Sequence, residues 1–345
     1  DVQDKFYKLK QYNTKISKTG ELWYEKHDYK NSYNKNLLGI IPSSGGRLNS
    51  VSDYYHQQIR LKVGGTYHTS PYDSWVNGDG LLTKLCIWWN DKMYTDMNSK
   101  CFMSQMFSMT YLCSQFKPDV AKLLYNHVQA NSVIDLSCGW GDRLAGFYAS
   151  NAKTYIGTDP NTETFNAYKK QCIDYEKFLG TDAEIIEYKD FFECKGSKFV
   201  RIYNLPAEDV DWNIYKNQID TIFTSPPYFD LEQYDRENEN QSWKRYSTMD
   251  NWRDNFLFKI IEKSVVTLKP GGLLLLNITE SKIPKDNYFL CDHMVDFTES
   301  LEDMHYIGKF GMAIGSRPIR NKDSDEKSSK KIKTIEISVY QSYTV

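Results

Sequence analysis

Between about Asn131 and Asn277 the chain alternates short apolar runs with stretches of helical periodicity, and this constrains its fold more than any other feature. "SVIDL" (132–136) reads as a buried strand, and "GDRLAGFYA" (141–149) as a helix entered through a glycine turn. "TYIGTD" (154–159) is the next strand, and "TETFNAYKKQCIDYEKFLG" (162–180) the next helix, stopped at Gly180. "FVRIYN" (199–204) and "DTIFTS" (220–225) are further strands. In "DNWRDNFLFKIIEKSVVTL" (250–268), Leu257, Ile260, Ile261, Ser264, Val265 and Leu268 fall at helical spacing. Asp250 is the expected N-cap, and Lys269-Pro270-Gly271-Gly272 the stop. "LLLLNIT" (273–279) is then an apolar strand, as a parallel sheet covered on both faces requires. Strand–helix alternation of this kind predicts a doubly wound α/β sheet.

Upstream, "FKPDVAKLLYNHV" (116–128) has the pattern of a helix with Pro118 in its first turn and Val120, Leu123, Leu124 and Val128 on one face. Residues 1–115 mix glycine clusters, tyrosines, tryptophans and lysines without a periodicity that assigns a fold. The chain therefore divides into an N-terminal region, 1–115, of unassigned fold and a domain spanning 116–345. The charged run "RPIRNKDSDEKSSKKIK" (317–333) reads as a mobile loop, and "KTIEISVYQS" (333–342) as a closing edge strand.

Charge is nearly balanced, at a formal −2 over 345 residues, so nothing marks a protein coated in basic residues. A local basic groove for nucleic acid remains compatible with that balance. Seven cysteines, scattered and without a CxxC pair, argue against a zinc knuckle or a disulfide framework and for a reducing compartment. No apolar run approaches the roughly 18 residues of a membrane span, and no signal-peptide pattern opens the chain. The expectation is a protein that is not secreted, works in the cytoplasm or wherever its target lies, and has no membrane partner.

Two segments carry chemistry. In "DLSCGWGDRLAG" (135–146), Asp135 ends a strand and Gly139 and Gly141 form the turn, where glycines let backbone approach a ligand at the carboxyl edge of the sheet. The third glycine of a dinucleotide fingerprint is replaced by Leu144. Asp159 closes the next strand, where an acid can accept both hydroxyls of a ribose. Glu208 and Asp209 follow the third core strand, where a carboxylate can meet an adenine amino group; "AEIIEYKDFFE" (183–193), with Asp190, competes as that third strand. The second segment is Ser225-Pro226-Pro227-Tyr228, in which two prolines hold φ fixed directly after an apolar strand.

In this order, Asp135–Gly141, Asp159, Glu208-Asp209 and Ser225–Tyr228 resemble a class I S-adenosylmethionine-dependent methyltransferase with a Rossmann-like sheet. Ser-Pro-Pro-Tyr is similar to the (D/N/S)PP(Y/F) motif of amino-methyltransferases acting on adenine N6 or cytosine N4 of DNA, and the sequence around it resembles phage and mobile-element members. The resemblance implies S-adenosylmethionine as cofactor, S-adenosylhomocysteine as product and no metal. It places cofactor contacts at Phe116 and Lys117, then at Asp135, Ser137, Gly139 and Gly141. Further contacts are implied at Asp159 and Pro160, at Glu208 and Asp209, and at Ser225. Ser225, Pro226, Pro227 and Tyr228 are the implied catalytic residues: the hydroxyl and the Pro226 carbonyl accept amino hydrogens, and Tyr228 stacks on a base rotated out of the duplex. A serine opening the motif leans toward cytosine N4.

DNA is the expected partner and RNA an alternative; methylation of a protein glutamine, or a silent cofactor-binding subunit, are the rival readings. Pro-Cys is absent, so attack on cytosine C5 by a thiolate has no obvious nucleophile. Target recognition has three candidate locations: the N-terminal region with Lys5, Lys8, Lys10, Lys15 and Lys18; the stretch with Arg236, Gln241, Trp243, Lys244 and Arg245; and the loop from Arg317 to Lys333. Met103, Met106 and Met109 read as core, Trp88-Trp89 as core, and Ser43–Arg47 as a surface loop.

Overall fold

The computed structural model describes residues 1–17, 36–43, 48–65, 69–78, 110, 112–229, 232–278, 290–314 and 333–343. In chain order the elements are α1 (Val2–Gln11), β1 (Lys15–Ser17), β2 (Asn36–Ile41), α2 (Ser50–Arg60), β3 (Gly64–Gly65), α3 (Pro71–Asn77), α4 (Pro118–His127), β4 (Ser132–Asp135), α5 (Asp142–Ala149), β5 (Thr154–Thr158) and α6 (Thr162–Phe178). They continue with β6 (Glu184–Glu187), β7 (Phe191–Lys195), β8 (Phe199–Tyr203), β9 (Ile219–Thr224), β10 (Glu232–Gln233), α7 (Ser242–Arg245), α8 (Met249–Trp252), α9 (Phe258–Val265), β11 (Leu268–Asn277), α10 (Leu290–Ser300), β12 (Met304–Ile314) and β13 (Lys333–Ser342).

Among the described residues an 11-stranded sheet runs β1-β2-β12-β13-β11-β9-β4-β5-β8-β7-β6, with β3 and β10 paired apart. Strands β8, β5, β4, β9 and β11 are mutually parallel, and β13 lies antiparallel between β11 and β12. From β4 the chain steps outward to β5 and β8, then returns to the other side of β4 for β9 and β11. Such a reversal opens a crevice at the carboxyl ends of the strands, where open α/β sheets bind ligands. Both faces are apolar: Val133, Tyr155, Phe223 and Leu275 bury into one cluster, and Ile134, Ile156, Ile222 and Leu276 into the other. Double-sided burial explains why these strands read as continuous apolar runs.

The described parts of residues 1–115 build onto this body. Phe6 of α1 stacks on Tyr175 of α6 with ring centroids 4.7 Å apart, and Val51 of α2 is buried in the same cluster. β2 runs parallel to β12, with Leu38 opposite Phe310 and Ile40 opposite Met312. Met103, Met106, Met109, Trp88, Trp89, Lys18, residues 44–47 and residues 317–332 lie outside the described residues. No helix among the described residues is long and apolar enough to cross a membrane.

Two expectations are corrected, and the third core strand falls at 199–203 as expected. The helix expected over 250–268 is divided by a wide turn at Arg253–Leu257, and Thr248 caps it, accepting from the Asn251 N–H, while Asp250 pairs with Arg253. The wide turn brings Trp252, Phe256 and Leu257 into one core. The strand 333–342 is interior, not an edge: Tyr340 pairs with Leu274 on one side and Tyr306 on the other. Residues 184–195 form an antiparallel hairpin, β6–β7, outside β8, which leaves β8 as the third core strand.

One buried contact joins the first core strand to the helix after it. Asp135, fully buried, receives Arg143 Nε at 2.7 Å and Nη2 at 3.1 Å, with the Tyr155 hydroxyl at 2.7 Å. Arg143 also donates to the Ser137 carbonyl, so the fork spans the glycine turn. Removing one partner from a buried pair leaves an uncompensated charge, at a cost of about 3–5 kcal/mol. Asp135→Ala is therefore expected to lose about that much stability in denaturant unfolding, with Arg143 left unpaired.

Candidate active site

The carboxyl ends of β4, β5, β8, β9 and β11 surround a cavity of about 360 Å³, within the range of roughly 300–1,000 Å³ typical of small-molecule sites. The glycine turn forms one wall. Gly139 (φ 60°) and Gly141 (φ 70°) both occupy the left-handed region, where a side chain is strained. At Gly141 a Cβ would also collide with Gln171 and His56. Those two side chains support the turn from behind: Gln171 Nε2 donates to the Gly141 carbonyl at 2.9 Å, and His56 Nε2 lies 2.9 Å from Gln171 Oε1. Burial lowers His56 to about 4, so it supports the turn as a neutral ring.

Asp159, just past β5, lines the cavity beside Pro160. Its Oδ2 accepts from Gly139 N–H at 3.0 Å and its Oδ1 from Asn161 N–H at 2.9 Å. Tyr168 and Thr164 hydroxyls also approach it, yet each has a nearer carbonyl acceptor, Gly139 and Asn161 respectively. A hydroxyl carries a single hydrogen. With both donated to those carbonyls, Asp159 keeps one open lone pair on each oxygen, which suits two vicinal hydroxyls. Burial pushes its carboxyl up to about 6, against the hydrogen bonds that favour the ion.

Past β8 a short turn separates the two adjacent acids. Glu208 is buried and lines the cavity, with Oε1 accepting from the Tyr246 hydroxyl at 3.0 Å and Oε2 lacking any partner among the described residues. Burial raises its carboxyl above the ordinary range, while Arg245 and Tyr246 pull it back. Asp209 faces outward and pairs with Arg245 at 2.8 and 3.2 Å.

Ser225, Pro226, Pro227 and Tyr228 all line the cavity at the end of β9. The Pro227 carbonyl accepts from Phe229 N–H at 3.2 Å, and Phe229 holds a positive φ of 44°, uncommon for a side chain of that size. The Pro226 carbonyl has no donor among the described residues. Next to it, Asn277 at the end of β11 donates from Nδ2 to Ser225 Oγ at 2.9 Å.

Of the implied cofactor contacts, Phe116, Ser137, Gly139, Asp159, Pro160, Glu208 and Ser225 face the cavity. Asp135 and Gly141 lie behind the turn and hold its shape, and Lys117 instead donates to Asn49 Oδ1 at 3.2 Å. The stretch weighed for target recognition crosses the cavity mouth on the side of Asp159 and Glu208. Tyr234 contacts Trp140, Asn238 donates to the Pro160 carbonyl at 2.8 Å, and Gln241 is buried against the cavity. Sequence reasoning missed Asn277, whose signal was a polar residue ending a buried strand, and missed Gln115 and Asp142 on the cavity wall. The open lone pairs of Asp159, the orphan oxygen of Glu208 and the close backbone at Gly139 together fit an adenosine-bearing cofactor.

Residues 219–338 match a family described as DNA methylase. No curated protein sequence matches the chain. Solved structures similar in fold include Trm1 from Pyrococcus horikoshii with S-adenosyl-L-methionine, at 12% identity over 65% of this chain and 56% of that one, TM-score 0.40. The chain thus spans little more than half the length of that protein. Others are a SAM-dependent O-methyltransferase from Thermotoga maritima (11%, 68% of each chain, TM-score 0.38) and the N-methyltransferase NodS from Bradyrhizobium japonicum (9%, 65% of this chain and 94% of that one, TM-score 0.36).

The raised carboxyl of Asp159 gives a signed prediction. If Asp159 receives hydroxyl hydrogens as a carboxylate, protonation below about 6 weakens the site. Affinity for S-adenosylhomocysteine by calorimetry should fall by up to about tenfold between pH 7 and pH 5, one unit below that value. In Asp159→Asn, affinity should be low at both pH values and the difference between them small.

Proposed function

We propose that this chain, whose residues 219–338 match a family described as DNA methylase, is a class I S-adenosylmethionine-dependent methyltransferase that methylates an exocyclic amine of a DNA base by direct displacement. The observation that carries this reading is the unspent Pro226 carbonyl, held between two fixed φ angles at the cavity end of β9.

An exocyclic amine is a weak nucleophile because its lone pair is conjugated into the ring. S-adenosylmethionine, when bound, supplies a methyl on a sulfonium, so the leaving group is a neutral thioether. Asp159 and Glu208 hold the adenosine end, and Gly139 lets backbone come close. Pro226 accepts an amino hydrogen and Ser225 hydrogen-bonds the same edge of the base, so the nitrogen lone pair is aimed rather than chemically activated. The amine forms the N–C bond as the C–S bond breaks, and its surplus proton passes to water. Tyr228 offers a ring face to a base outside the stack, which offsets part of an unstacking cost of a few kcal/mol.

Cytosine N4 is favoured over adenine N6 on the serine that opens the motif. Three regions are candidates for reading the target in this account: residues 1–115, the stretch with Arg236, Gln241, Trp243, Lys244 and Arg245, and residues 317–333, of which 317–332 lie outside the described residues. RNA is the second reading, supported by the same amine clamp.

Incubation with tritiated donor and separate DNA, RNA and protein, followed by nucleoside mass spectrometry, tests the assignment. Label is expected in DNA as a methylated exocyclic amine; label confined to protein would sink it. Tyr228→Ala is expected to lower transfer by about 10- to 100-fold, the equivalent of losing a base-stacking platform, with cofactor binding retained. Equal loss of both would remove Tyr228 from the base.

A further inference from the structure

We propose that Gln241 closes over the adenine of the cofactor and pairs with it through both ends of its carboxamide, so that this part of the chain serves the cofactor rather than the target. The inference rests on S-adenosylmethionine as the cofactor in the reading above, and not on which base is methylated.

The stretch after Tyr228 is fastened to the cavity rim on both sides of Gln241. Upstream, Asn238 donates to the Pro160 carbonyl at 2.8 Å, one residue past Asp159. Downstream, the Tyr246 hydroxyl donates to Glu208 Oε1 at 3.0 Å, and Arg245 pairs with Glu208 at 3.1 Å and with Asp209 at 2.8 Å. Gln241 thus falls between the acid suited to the ribose and the acid suited to the adenine amine. Its own backbone is held as well. The Gln241 carbonyl accepts the N–H groups of Lys244 and Arg245 at 3.0 Å, capping α7. Ser242, which follows it, is buried and accepts from Trp252 Nε1 at 3.3 Å.

The Gln241 side chain is 6% exposed and lines the cavity. Neither of its amide atoms has a partner among the described residues, and neither is sealed in the interior. In a residue so deeply placed, the surface left to those atoms is the surface of the cavity. A carboxamide there offers a donor and an acceptor side by side.

Adenine answers that pair. Its amine carries two hydrogens, one on the side of N1 and the other on the side of N7. A glutamine meets such an edge with two hydrogen bonds, Oε1 accepting from the amine and Nε2 donating to the neighbouring ring nitrogen. The second amine hydrogen falls to Glu208, on the same side of the cavity. A 6-oxo purine would set its carbonyl against both acceptors, and a site built around polar groups strongly rejects a ligand that leaves them unpaired. Of the residues weighed for target reading, Gln241 is thereby assigned to the cofactor and Arg245 to holding Glu208.

The test is calorimetry on the full chain with S-adenosylhomocysteine and its 1-deaza, 7-deaza and 3-deaza analogues, in each of which C–H replaces one ring nitrogen. Wild type should bind the 1-deaza or the 7-deaza compound about 5- to 100-fold more weakly than the parent, the effect of leaving Nε2 without its acceptor. Gln241→Met keeps the length of the side chain without its polar atoms. It should bind the parent more weakly and show little further loss on that same analogue, and Gln241→Leu should do likewise. Variants that weaken all four ligands alike, as a merely loosened stretch would, overturn the inference. Dependence on Gln241 for the 3-deaza compound alone, or for no analogue, overturns it too, while leaving the cofactor standing. If the wild type binds none of the four, the cofactor reading and this inference fall together.

Discussion

The forked contact of Arg143 with Asp135 is the constraint on which the carboxyl edge of the sheet depends. Both partners are buried, so the pair survives only because guanidinium and carboxylate match in geometry and leave few lone pairs unspent. It joins the end of β4 to the first turn of α5 and presses the intervening glycine turn into a fixed shape. That turn then presents the Gly139 N–H to Asp159, which orders the end of β5 in turn. Behind it, Gln171 and His56 carry the support out to α2, so a helix near the start of the chain braces a ligand site formed much later in sequence.

Much of this was legible in the residues, and for a physical reason. Parallel strands covered on both faces must be apolar throughout, and the helices between them must be apolar on a stripe, so β4, β5, β8, β9 and β11 announce themselves. The glycine turn and the two prolines are equally visible, because few residues can replace them at those backbone angles. Position 250 was misassigned as a cap because Thr248 and Asp250 are both competent, and only the docking of Trp252 decides between them.

What stayed hidden depends on direction and distance. An acid at a strand end reads the same whether it faces a ligand or a buried arginine, so Asp135 looked like Asp159. Glu208 and Asp209 are neighbours, and the short turn that buries one exposes the other. The N-terminal strands acquire a place only through pairing with β12, some 270 residues away, for which no local pattern exists. Asn277 was read as the tail of an apolar run, although a polar side chain at the end of a fully buried strand needs a partner and therefore a reason.

The insertion of β13 between β11 and β12 has a consequence for how the molecule is made. During synthesis β11 emerges with β9 on one side and nothing on the other until residues 333–342 follow. For that interval the strand bearing Asn277 is an open apolar edge, the kind that pairs with foreign strands if it waits too long. β12 cannot close the gap, and β2 cannot dock until β12 is placed. Four of the eleven strands, β13, β12, β2 and β1, thus join the sheet only once residues 333–342 have been made, and Met312 of β12 reaches the cavity wall with them.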